Sequence, residues 1–79
     1  MIKLLNIRRN NDTIRCDVRV EDCSTLVPIS IDEKNGTVER EALPKGYEYC
    51  TTHIGYAERF LKTIIGQKTL PSEKLIMWY

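Results

Sequence analysis

A chain of 79 residues has room for one hydrophobic core, so residues 1–79 are expected to form a single small domain. Twelve Lys and Arg against eleven Asp and Glu leave a formal charge of +1, which argues against a protein that grips nucleic acid through a broad basic excess. No run approaches the ~20 apolar residues of a membrane span, the first residues are too short an apolar run for a signal peptide, and three cysteines without framework spacing are expected as free thiols in the cytoplasm.

The charges are unevenly spread along the sequence. Residues 1–19 carry five bases and two acids, +3; residues 20–41 carry six acids and two bases, −4; the remainder is +2.

Residues 2–9 and 13–20 read as a hairpin across Asn11 and Asp12, residue types that tolerate positive φ in a two-residue turn. With Asn10 opposite Thr13, Ile7 faces Cys16 and Leu5 faces Val18; a slip of one residue would set Leu5 against Asp17 and Lys3 against Arg19. The apolar pattern selects the first register. Ile14, Cys16, Val18 and Val20 then point inward and Arg15, Asp17, Arg19 and Glu21 outward, while Ile2 and Leu4 fall on the face opposite Leu5 and Ile7.

Residues 26–32 form a third strand with Val27, Ile29 and Ile31 inward, and Pro28 outward, where its missing N–H must meet an edge or a bulge. Asn35-Gly36 is the strongest turn signal in the chain and folds residues 37–41 back as a fourth strand. A two-residue turn there sets Lys34 opposite Thr37, Ile31 opposite Arg40, and Asp32 against Glu39 as like charges.

A connector with Pro44, Gly46, Tyr47 and Tyr49 leads to residues 51–65, where Ile54, Ala57, Phe60, Leu61, Ile64 and Ile65 make one apolar stripe at helical spacing. Thr51 or Thr52 is positioned to cap this helix, Glu58 and Lys62 are spaced as an i,i+4 pair, and Gly66 with Pro71 supplies the stop. Residues 73–79 read as a last strand, apolar on both faces through Leu75, Met77 and Tyr79 on one side and Ile76 and Trp78 on the other. Placing it beside the equally two-faced first strand gives the order 5-1-2-3-4. The expected fold is therefore α+β: ββββαβ, a mainly antiparallel five-stranded sheet with one helix on one face.

In that arrangement Ile2, Leu4, Trp78 and Tyr79, with Tyr47 and Tyr49, form a candidate interaction patch, unless the connector covers it. The corresponding function is a non-catalytic cytoplasmic interaction module, self-associating or binding a protein partner, with no enzyme activity, cofactor, metal or membrane attachment. One alternative is single-stranded nucleic-acid binding through the outward Arg8, Arg15 and Arg19. Another is a thiol site in which Cys50, at the helix start, is activated by His53, or a zinc set of Cys16, Cys23, Cys50 and His53, although neither spacing is that of a known knuckle. Asp32/Glu33 and Glu39/Glu41 are paired carboxylates, but they flank a turn and read as a solvated hairpin tip.

Overall fold

Four strands, β1 (Ile2–Asn10), β2 (Thr13–Val20), β3 (Val27–Asp32) and β4 (Val38–Arg40), precede one helix, α1 (Thr51–Thr63), and a last short strand, β5 (Lys74–Ile76). The computed structural model describes residues 1–77. The strands form one sheet in the order β4-β3-β2-β1-β5, every pairing antiparallel, with α1 packed on one face. This is the predicted α+β architecture and the predicted strand order.

The β1–β2 hairpin turns at Asn11, whose φ of 58° is the left-handed conformation that Asn tolerates. Asn10 pairs with Thr13 and Arg8 with Arg15, as the turn dictates, but Leu5 pairs with Asp17 and Leu4 with Val18. Two residues of β1, Asn6 and Ile7, therefore stand against the single Cys16. This is a β-bulge, and Asn6 holds it with a φ of 54°. The Ile7 N–H turns away from β2 and donates to the Ser72 carbonyl at 2.9 Å.

The bulge overturns the predicted position of Ile2 and Leu4. By shifting the register one residue beyond Asn6, it turns both side chains to the face that carries Ile7, Cys16 and Val18, where Ile2 and Leu4 are 0% exposed. Leu5 goes to the other face, opposite Asp17. A single core results: Ile2, Leu4 and Ile7 join the inward residues of β2 and β3 beneath Ile54, Ala57, Leu61 and Ile64. Fully burying a side chain such as Ile54 or Leu61 contributes ~1.5–3 kcal/mol.

The β3–β4 connection also differs from the two-residue turn. Asp32 N–H donates to the Thr37 carbonyl, Gly36 N–H to the Asp32 carbonyl, and the Asp32 and Asn35 side chains accept from the Lys34 and Thr37 N–H groups. These bonds close a loop over residues 33–36, with Gly36 at φ 76°. The register moves by two, so Ile31 faces Val38 and Glu39 faces Ser30. The predicted clash of Asp32 with Glu39 does not arise. Pro28 fits inside the sheet because its carbonyl, which accepts from Glu41 N–H at 3.2 Å, points to β4 just past that strand's last residue. Its nitrogen faces the same way, where no ladder donor is required.

α1 starts one residue after Cys50, which occupies the N-cap without a side-chain bond, so neither threonine caps it. The helix ends at Thr63, two residues before its predicted limit, and Gly66 at φ 81° follows as the stop. Ile64 nevertheless stays buried and Ile65 packs on the core. Glu58 comes within 3.9 Å of Arg40 on β4.

Candidate functional site

The sheet face opposite α1 carries a polar side chain at most positions. Its rows follow from the registers: Leu75 beside Lys3 beside Arg19; Leu5 beside Asp17 beside Pro28; Arg8 beside Arg15 beside Ser30 beside Glu39; Thr13 beside Asp32. Arg8, Arg15, Arg19, Pro28 and Glu39 are exposed, and Leu75 is 50% exposed. Among the described residues no element lies over this face.

A trough runs along it between β2 and β4. One part, of about 250 Å³, is lined by Arg8, Arg15, Pro28, Ser30, Glu39 and Glu41. The other, of about 210 Å³, continues past Arg15, Ser30 and Glu39 to Thr13, Asp32, Asn35 and Thr37.

Two like-charged pairs stand directly opposite each other on this face, Lys3 with Arg19 and Arg8 with Arg15. Such pairs weaken a hairpin by ~0.2–1 kcal/mol. Lys3 is 3.7 Å from Glu73, and Arg8 is 3.9 Å from Asp17 and donates to the Asn6 carbonyl at 2.8 Å. Among the described residues no carboxylate comes within 4.0 Å of Arg15 or Arg19. The bulge creates part of this arrangement, because Lys3 opposes Arg19 only in the shifted register.

The structure thus brings Arg8, Arg15 and Arg19 onto one exposed face. It does not bring the apolar patch together: Ile2 and Leu4 lie in the core, Tyr47 is half-buried with its hydroxyl donating to Asp22 at 3.1 Å, and Tyr49 is 75% exposed. Trp78 and Tyr79, the other two members, lie outside the described residues.

The helix start is arranged differently from a thiol site. Cys50 is fully buried, and burial pushes its thiol up. The His53 Nε2 lies 2.7 Å from Glu21 Oε1, which also accepts from the Met1 amino group at 2.7 Å. Those two hydrogen bonds, the amino group's first, hold the Glu21 carboxyl below its ordinary value. The thiol of Cys16 is pushed up to about 12, chiefly by burial, and Cys23 is buried as well. Among the described residues, no three His, Cys, Asp or Glu side chains gather where they could hold a metal ion.

One polar centre was not legible in the sequence. Glu33, expected at a solvated hairpin tip, receives Arg9 Nε at 2.6 Å, the same guanidinium's second nitrogen at 3.1 Å and the Gly66 N–H at 2.9 Å. It joins the first hairpin to the end of α1, and no local motif marks a contact across such sequence separations.

Among the described residues, no helix is long and apolar enough to cross a membrane. A scan against protein-family models finds no match, and searches of the curated proteins and of the solved structures find none either.

Proposed function

We propose that this chain is a small non-catalytic interaction module that presents the open face of its sheet to a protein partner. The observation that carries this reading is the pair of opposed cations, Lys3/Arg19 and Arg8/Arg15, kept on a face that no other element covers among the described residues. The fold gains nothing from either opposition, whereas a partner that contributes carboxylates relieves both. Three buried free thiols support placing the module in the reducing cytoplasm.

The test is the stability of Arg19→Thr. If the arginine serves binding, removing it relieves the repulsion with Lys3, puts a good strand former in its place, and raises the urea midpoint by an amount equivalent to a few tenths of a kcal/mol. A lower midpoint would assign Arg19 to the fold and take away the argument.

A second reading, single-stranded nucleic-acid binding, is favoured by the common exposed face of Arg8, Arg15 and Arg19. Fluorescence polarisation with labelled single-stranded oligonucleotides at low ionic strength separates the two. A salt-sensitive rise would favour nucleic acid, and a flat titration would remove it.

A further inference from the structure

We infer that the partner of the open face is a second copy of this chain, docked face to face about a two-fold axis running along the strands between β2 and β3. This rests on the interaction reading above and supplies an occupant for the Arg8/Arg15 opposition; Lys3 and Arg19 lie beyond the rows that β3 and β4 share with β2, so the second copy sets no carboxylate of those strands over them. One row of neighbours carries the inference: Arg8, Arg15, Ser30 and Glu39 stand side by side across β1, β2, β3 and β4. In order, the row is cation, cation, hydroxyl, carboxylate. With strands ~4.8 Å apart, Arg8 and Glu39 are separated by about 14 Å of sheet and do not pair with each other; within the chain Arg8 lies 3.9 Å from Asp17 instead.

A two-fold axis midway between Arg15 and Ser30 reverses the row. Arg8 then lies over Glu39 of the partner subunit and Arg15 over Ser30 of the partner subunit, and symmetry makes each contact twice. The adjoining rows accept the same operation, because Asp17 meets a proline and Asp32 a threonine, so no like charges are superimposed. A two-fold axis across the strands would instead stack Glu39 on Glu39. A polyanion fits the trough less well, since Glu39, Glu41 and Asp32 line it together with the arginines.

About this axis β2 lies over β3 of the partner subunit and β1 over β4 of the partner subunit, while β5 faces no strand; with six paired residues in β3 and three in β4, at ~3.3 Å per residue and ~4.8 Å between strands, about 300 Å² of sheet overlaps per copy, or about 600 Å² in the pair. That is below the size of a stable interface and fits a transient one. The dimer is accordingly weak, forming toward the upper end of the micromolar range and above, and its exposed ion pairs make it sensitive to salt.

The experiment is sedimentation equilibrium of the full chain from micromolar to near-millimolar concentration at low ionic strength, with Arg8→Glu, Glu39→Arg and an equimolar mixture of the two variants. Both positions are exposed, and circular dichroism confirms that each variant is folded before it is used. The wild type is expected to dimerise and to dissociate on adding salt. Each variant alone is expected to associate about tenfold more weakly, and the mixture to recover the wild-type association, because opposite charges then face each other in the heterodimer. A dimer indifferent to both substitutions, or a mixture no stronger than its parts, would overturn the inference. So would a wild type that stays monomeric. In that case a gain of stability in Arg19→Thr leaves the interaction module standing with another partner, and a loss removes both.

Discussion

The Arg9 guanidinium grips the Glu33 carboxylate through two nitrogens, Nε to Oε1 at 2.6 Å and the second to Oε2 at 3.1 Å. This charge-assisted pair, with the Gly66 N–H as a third donor, holds the Glu33 carboxyl below its ordinary 4.5. Glu21 is held below 4.5 in the same way by the Met1 amino group and His53. A carboxyl whose folded value is depressed contributes stability that is complete above its unfolded value and is lost as pH falls through the folded one. Thermal melts from neutral pH downward are expected to hold steady until about pH 4.5 and then fall. Glu33→Gln is expected to lower the melting temperature at neutral pH and to make the acid-side fall shallower.

Asn6 is expected to be the least replaceable exposed residue of β1. Its φ of 54° suits Gly or Asn and strains a β-branched side chain, so Asn6→Val should cost about 1–2 kcal/mol, read as a lower urea midpoint with an unchanged slope. Asn6→Gly should lie close to the wild type. Equal losses in the two variants would mean that the Asn side chain, not its backbone conformation, holds the bulge.

The two faces of the sheet should respond differently to truncation. Leu61→Ala removes a fully buried side chain under α1 and is expected to cost about 2–5 kcal/mol. Leu75→Ala, on the open face, should stay within about 0.5 kcal/mol. Chemical denaturation of the two variants at low protein concentration checks both values.

The thiols should be slow toward alkylation at neutral pH. All three are buried, and burial raises Cys16 to about 12 and pushes Cys50 up as well. Labelling by iodoacetamide, followed by mass spectrometry, is expected to accelerate with urea in step with unfolding. Fast labelling of Cys50 alone in the native chain would restore the thiol-site reading.

The strand order was legible because β1 and the last strand are the two whose apolar residues fall on both parities, which marks them as neighbours in need of cover. The inward set of β2 and β3 followed from strict alternation, and the helix from its stripe. The sequence also carries a sign of the bulge. Ile2 and Leu4 are even-numbered and Ile7 is odd, with Asn6 between them, so a change of parity at a residue that tolerates positive φ would have put all three on one face. The loop over residues 33–36 departs from the tight turn that Asn35-Gly36 signals because the Asp32 and Asn35 side chains satisfy a longer one. The Arg9–Glu33 contact depends on tertiary proximity, which alternation and turn signals do not encode. The open-face row was hidden for the same reason: it needs four strands in their actual registers.

The bulge also bears on how the chain is made. Ile2 pairs with Ile76, so in a chain synthesised from its N-terminus β1 waits on the order of several seconds, at ~5–20 residues per second, before β5 emerges. Throughout that interval one edge of the longest strand is open to a neighbouring nascent chain. The left-handed Asn6 breaks the regular ladder of donors and acceptors in the middle of that edge, where the Ile7 N–H later meets Ser72. The same irregularity that gathers the core thus interrupts the template on which a second ribosome's product could pair.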